Sequence, residues 1–219
     1  MKYLQNTAIW LTALLLFAFS GCNQKPAGEH TFAIGNKTFL LDGKPFVIKA
    51  AEIHYTRIPA EYWEHRIQLC KALGMNTICI YAFWNIHEQK PGEFDFSGQN
   101  DIAAFCRLAQ KYDMYIMLRP GPYVCSEWEM GGLPWWLLKK DDIKLRTNDP
   151  YFLERTKLFM NEIGKQLADL QITKGGNIIM VQVENEYGSY ATDKEYIANI
   201  RDIVKGARFT DVPLFQCDW

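Results

Sequence analysis

Short, uninterrupted apolar runs alternate with amphipathic helical segments along most of this chain. That alternation restricts it to folds built on a parallel sheet. A strand apolar on both faces needs cover on both, and a helical crossover returns the chain to start the next strand in the same direction. The apolar runs predict strands over 46–54, 76–84, 114–119, 178–184 and 213–217. Between them, helical periodicity predicts helices over 61–73, 99–112, 150–172 and 194–207. Their inward stripes are Trp63, Ile67, Cys70 and Leu73; Ile102, Phe105, Cys106 and Ala109; Phe159, Ile163, Leu167 and Leu170; and Ile197, Ile200 and Val204. Asn148-Asp149-Pro150 opens the third helix with a capping residue and a proline at its first position. Ahead of the first strand, residues 31–46 carry an Asp42-Gly43 turn and predict a short β-hairpin.

Periodicity alone does not separate a closed barrel from a doubly wound sheet, but the strand ends do. No strand is followed by a Gly-rich phosphate loop. Instead, polar and aromatic residues follow successive strands: His54-Tyr55-Thr56-Arg57, Trp84-Asn85-Ile86-His87-Glu88, Arg119-Pro120-Gly121-Pro122-Tyr123 and Asn185-Glu186-Tyr187. Chemistry spread over several strand tips belongs to an α/β barrel. The sharpest tip is Val181-Gln182-Val183-Glu184-Asn185-Glu186-Tyr187-Gly188, which sets two carboxylates and an amide where an apolar run ends. If the strand ran on, Glu184 and Glu186 would share a face, and their crowding would raise one carboxyl toward the protonated form that glycosidic cleavage requires. The competing reading is a structural pair neutralised by Arg or Lys in the barrel mouth.

The 219 residues suffice for one sizeable domain with a real core. Their formal charge of −1 and lack of a basic stripe argue against nucleic acid as a partner. The uncharged run 8–19, preceded by Lys2, has the length of an export segment rather than a membrane span. Phe19-Ser20-Gly21-Cys22 resembles a bacterial lipobox, although that pattern prefers Leu where Phe19 stands. The expectation is a lipoprotein-type signal over 1–22, acylation at Cys22, a tether over 23–30 and a catalytic domain over 31–219. The protein would then be exported, periplasmic or at the cell surface, and its membrane contact would come through the lipid alone. Five further cysteines, an odd number, leave at least one thiol unpaired, and Cys70, Cys79 and Cys106 sit in apolar patterns as small hydrophobes. Neither the cysteines nor the four histidines have metal-ligand spacing, so the sequence implies no metal and no cofactor.

Four motifs then resemble glycoside hydrolase family 35, the β-galactosidases. They are 52–59 (Glu-Ile-His-Tyr-Thr-Arg-Ile-Pro), 81–88 (Tyr-Ala-Phe-Trp-Asn-Ile-His-Glu), 119–137 from Arg119 through Trp136-Leu137, and 182–190 from Gln182 through Tyr190. The resemblance implies a retaining exo-β-galactosidase on a (β/α)8 TIM barrel, of which this chain holds about the first five βα units. It makes Glu186 the general acid/base and Asn185 the partner of the sugar hydroxyl beside the scissile carbon. It places Tyr81, Cys125, Ser126 and Glu127 against a terminal galactose of a glycan substrate. Glu184, two residues before Glu186, is expected to stand behind it as a carboxylate that orients or tunes it. Ser126 stands where relatives often carry Ala. Cys125 has no matched base, so nucleophilic chemistry is not expected of it. Glu129 is expected in an ion pair, and His54 and Arg57 either brace the barrel mouth or bind sugar. Trp84, Trp128, Trp135 and Trp136 are candidates for a sugar-stacking wall, with one or two expected to reach ligand. A retaining mechanism needs a second carboxylate about 5 Å away. The family takes it from the seventh strand, so the nucleophile is expected beyond Trp219. Two rival readings are a barrel glycosidase for another β-linked sugar and a surface carbohydrate-binding lipoprotein without catalysis.

Overall fold

The computed structural model describes residues 29–218. The export segment, Cys22 and most of the tether lie outside them. Three strands, β1 (Phe32–Ile34), β2 (Phe39–Leu41) and β3 (Lys44–Phe46), form an antiparallel meander. The expected hairpin is thus two successive hairpins. The second turns at Asp42 and Gly43, both with positive φ, as a tight turn between twisted strands requires. Phe32 stacks on Phe39 at 5.5 Å, and Phe46 meets Tyr115 edge-on at 5.4 Å. Tyr115 is the first residue of a barrel strand, so the meander seats on the end of the main sheet where strands begin.

The main sheet is five parallel strands in sequence order: β4 (Ala50–Glu52), β5 (Thr77–Tyr81), β6 (Tyr115–Arg119), β7 (Ile178–Gln182) and β8 (Leu214–Phe215). Helices α1 (Trp63–Ala72), α2 (Ile102–Lys111), α3 (Pro150–Leu167) and α4 (Lys194–Gly206) connect them. A doubly wound sheet reverses its strand order at a switch point; this sheet does not, and the order is that of successive barrel staves. Every residue of β5 and β7 is buried, as their unbroken apolar runs require. Asp149 caps α3, accepting from Tyr151 N and Phe152 N at 3.0 Å, with Pro150 at the first position. Gly164 is needed where α3 passes the end of α4, since a Cβ there would lie 2.2 Å from Ala207 O.

Three expectations need correction. Residues 46–54 do not form one buried strand: β3 ends at Phe46, and β4 is a three-residue edge strand whose Ala50 and Glu52 are exposed. The inward stripe of α1 runs through Trp63, Ile67 and the half-buried Cys70, which packs against the core, but Leu73 is 76% exposed beside that same open edge. Helix α3 ends at Leu167 rather than 172. A 3-10 turn follows over Ala168–Leu170, after which Gln171 turns extended and its side chain ties Ala168 O to Arg208 O.

Of the cysteines, Cys79 and Cys106 are buried, and burial pushes their thiols up to about 11 and about 12. Among the described residues none forms a disulfide, and no helix is long and apolar enough to cross a membrane.

Candidate active site

The parallel register brings the strand ends to one edge of the sheet. Tyr81 of β5 lies opposite Arg119 of β6, and Gln182 of β7 lies opposite Phe215 of β8. The pleat ends at Gln182. Glu184 and Glu186 adopt left-handed backbone, with φ of 60° and 50°. The turn corrects the expectation of a shared strand face, and the two carboxylates have different surroundings.

Glu184 is 1% exposed and fully engaged. Its Oε1 accepts from Arg146 Nε (2.9 Å) and the Tyr196 hydroxyl (2.9 Å), and its Oε2 from Arg146 Nη2 (2.7 Å) and the Asn185 N–H (2.6 Å). Arg146 also donates to Asn185 O at 2.7 Å and lies over the rings of Tyr123 and Tyr190 at 4.0 and 4.3 Å. Burial disfavours its charge, but the bond and charge of Glu184 outweigh burial and raise its pKa. Burial, reinforced by the Glu184 charge, pushes the Tyr196 hydroxyl far up, so it remains a donor. Glu184 therefore grips the peptide that carries Asn185, and its carboxylate makes no hydrogen bond to Glu186.

Glu186 is half-buried, and its carboxylate has no hydrogen bond or ion pair among the described residues. Its backbone is pinned, N–H to Cys217 O at 3.0 Å, which ties the β7 turn to the segment after β8. Asn185 is buried and directs Oδ1 at Arg119 Nη2 (2.5 Å) and Gln182 Nε2 (3.1 Å). The Tyr81 hydroxyl donates to Glu52 at 3.0 Å and accepts from Arg119. Burial pushes it up, and the Arg119 charge only partly opposes this. Tyr81, Asn185 and Glu186 are thus connected through a single guanidinium and one turn of backbone.

Cys125, Ser126 and Glu127 follow β6 as three successive left-handed residues, with φ of 59°, 55° and 45°. Non-glycine residues in this region cost about 1–2 kcal/mol each, so the loop needs an outside hold. Arg57 supplies it, donating Nη2 to Ser126 O and Glu127 O at 2.9 and 2.8 Å while lying over Trp128 at 4.7 Å. Arg57 also donates to His54 Nδ1, because a guanidinium has only donors. The imidazole proton is then on Nε2, which donates to Glu52 at 2.8 Å. His54 and Arg57 accordingly brace the loop. The Ser126 hydroxyl donates to Val124 O at 3.0 Å. The Glu127 side chain is exposed, and the Glu129 side chain makes no ion pair among the described residues.

Trp84 and Trp136 are core, not wall. Trp84 is fully buried and stacked on Phe159 at 5.1 Å, and both indole N–H groups bond the buried Glu88. Trp128 and Trp135 line a cleft of about 750 Å³ with Arg57, Asn85, Glu127 and Glu129. Of the expected sugar contacts only Glu127 reaches that cleft.

Sequence reasoning missed Arg119, Gln182, Glu52 and Arg146 as parts of the site. Arg119 and Gln182 could have been found: each is a polar residue ending an apolar run, as Glu184 does. Arg146 could not, because it lies in an aperiodic loop and only the folded chain shows it buried.

A parallel strand–helix sheet whose tips present an open carboxylate, a fixed amide and a braced aromatic loop is the scaffold of a barrel glycosidase. Solved glycosidases share the fold. An exo-beta-1,4-mannosidase from Opitutaceae bacterium strain TAV5 superposes with a TM-score of 0.60 at 19% identity, over 76% of this chain and 30% of its own. A GH5_18 protein from Streptomyces cattleya in complex with GlcNAc gives 0.60 at 13%, over 78% and 44%.

The chain belongs to glycosyl hydrolases family 35, whose model matches residues 38–219. It is 43% identical to a beta-galactosidase of Xanthomonas manihotis over 98% of this chain and 36% of the relative, and 46% identical to that of Mus musculus over 82% and 28%. The chain spans about a third of the length of the curated relatives it matches.

Proposed function

We propose that this chain carries the acid/base half of a retaining exo-β-galactosidase that removes terminal β-linked galactose from glycans. The observation that carries this is the division of labour in the 184–186 turn. Glu184 is buried and spent on Arg146 and Tyr196, whereas Glu186, two residues on, is backbone-pinned, half-buried and open. In the first step Glu186 protonates the leaving oxygen as a nucleophilic carboxylate attacks from the opposite face. In the second it takes a proton from water, which releases the sugar. Asn185 holds the hydroxyl next to the reacting carbon, a bond that tightens as charge develops there. Tyr81 and the 125–127 loop shape the galactose pocket. The nucleophile belongs, in this reading, to the two-thirds of the relatives' length that this chain does not span. Export and acylation at Cys22 complete the proposal and would hold the enzyme at a membrane surface facing its glycans.

The test is Glu186→Gln in the full chain its gene encodes, assayed on aryl β-galactosides with good and poor leaving groups. Poor leaving groups need the proton, so their turnover should fall by about 10²–10⁴-fold. Activated aryl galactosides should still form the covalent intermediate and show a burst. Equal losses on both, in a folded variant, would assign Glu186 to binding and overturn the reading.

A further inference from the structure

We infer that Arg119 is a positioning residue that fixes which end of the Asn185 amide faces the sugar, an inference that rests on the reading just given. An asparagine amide is nearly symmetric in shape, and its two orientations differ only in whether a donor or an acceptor is presented. In isolation Asn185 would lose little by rotating through 180°. The two orientations set opposite polarity on the sugar hydroxyl, which would accept from Nδ2 in one and have to donate to Oδ1 in the other.

The structure removes that freedom. The Arg119 guanidinium, at the tip of β6, has donors only. It stands at the centre of four acceptors on three neighbouring strands and the turn after β7: Gln182 Oε1, the Tyr81 hydroxyl, Glu52 Oε2 and Asn185 Oδ1. Only an oxygen can face it, so Asn185 must present Oδ1 inward. Gln182 is fixed by the same rule. With Oε1 on Arg119, its Nε2 points the other way, donating to Glu184 O at 2.7 Å and to Asn185 Oδ1 at 3.1 Å. Asn185 Oδ1 thus receives two donors, while Asn185 Nδ2 meets no acceptor among the described residues. It is left as a donor for a ligand oxygen. Reversing it would set an NH₂ against a guanidinium and a second amide NH₂, leaving three donor groups facing one another in a largely buried site.

Arg119 is itself oriented. Its ring-face contact with Tyr81, 4.3 Å from guanidinium carbon to ring centroid, fixes its plane. Glu52 balances its charge at 3.4 Å and is in turn held by His54. A lysine could supply the charge but not four directed donors.

The experiment compares the full chain its gene encodes, as parent, with its Arg119→Lys and Arg119→Gln variants on a panel of aryl β-glycosides (galactoside, glucoside, N-acetylglucosaminide), using the best substrate and its analogue lacking the hydroxyl beside the anomeric carbon. The expected result is a fall in kcat about 10–100-fold larger on the hydroxylated substrate than on the deoxy analogue, since any loss through the Tyr81 contact is common to both and a misplaced donor costs nothing where no acceptor waits. A purely structural role would lower both equally and would overturn the inference. A second readout needs no turnover. In a double-mutant cycle on thermal melting, the shifts of Arg119→Gln and Asn185→Ala should fall short of additive by about 2–4 °C. Full additivity would show the residues uncoupled and overturn it as well. A parent that prefers another sugar overturns the galactose assignment and leaves the Arg119 comparison intact. A parent that cleaves nothing overturns the sugar role of Asn185 along with the proposed function, and the melting cycle then decides the coupling alone.

Discussion

Replacing Glu184 by Gln should destabilise the protein by about 3–5 kcal/mol, the usual cost of removing one partner from a buried ion pair. The size can be worked from the four donors around it. Oε1 accepts from Arg146 Nε and Tyr196, and Oε2 from Arg146 Nη2 and Asn185 N. Whichever oxygen becomes the amide NH₂, two donors lose their acceptor and face another donor instead. A buried unsatisfied group costs about 1–3 kcal/mol, and Arg146 is left charged with no carboxylate. Solvent does not soften the loss, since the two side chains are 8% and 0% exposed. For a domain of this size the melting midpoint should drop by about 6–20 °C, read by circular dichroism on the full chain. Turnover should fall as well, because the peptide presenting Asn185 loses its grip. The double variant Glu184→Leu with Arg146→Met, which removes both charges, should regain much of the melting temperature but not the turnover. A single variant that melts within about 2 °C of the parent and keeps its activity would refute the assignment of Glu184 as the anchor of the turn.

His87 gives a pH-dependent prediction. It is fully buried, shares a 2.9 Å hydrogen bond with Asp95 O through Nδ1 and one of 2.5 Å with the Tyr55 hydroxyl through Nε2, and burial lowers its pKa from 6.5 to about 4. The unfolded chain therefore binds this proton first, and stability should rise with pH between about 4 and 6.5, by up to ~3 kcal/mol from this group. Urea midpoints across that window, compared with His87→Gln, check it; identical pH slopes would refute it. For the proposed anchor, Cys22→Ser should abolish incorporation of labelled palmitate and move the protein from the membrane to the soluble fraction, and an unlabelled parent would remove the anchor from the proposal.

The sheet was legible because its signals are local and redundant. β5 and β7 are buried from end to end, so each apolar run reads correctly whatever its neighbours. Asp149-Pro150 marks the start of α3 by backbone chemistry that operates within four residues. What failed depended on partners distant in sequence. Leu73 follows the helical period yet is exposed, because the side of α1 it occupies lies at the sheet edge beyond β4. Glu184 and Glu186 follow the strand period, but the strand ends before them, and their separation into an anchored and an open carboxylate depends on Arg146 from a loop 38 residues earlier.

That failure shows how the candidate site is built. Cys125, Ser126, Glu127, Glu184 and Glu186 all hold left-handed backbone without being glycine. Each such residue costs about 1–2 kcal/mol, and the strain persists only where the surroundings over-determine it. The surroundings here are three guanidiniums. Arg57 bonds the carbonyls of Ser126 and Glu127; Arg146 bonds Glu184 and the Asn185 carbonyl; Arg119 bonds the Gln182 and Asn185 amides. A hydrogen bond from a charged donor contributes about 1.5–3 kcal/mol, the same size as the strain it offsets. Each arginine also lies over an aromatic ring, Trp128, Tyr123 or Tyr81, which fixes its plane and so the direction of its donors. Carbonyls and carboxamide oxygens are thereby drawn into the frame, while Asn185 Nδ2 and the Glu186 carboxylate, which the proposed chemistry needs, keep no partner among the described residues. Arginine is suited to this frame because it remains charged at any physiological pH and never accepts a hydrogen bond. It can fix the polarity of every group it touches without taking part in the proton transfers assigned to Glu186.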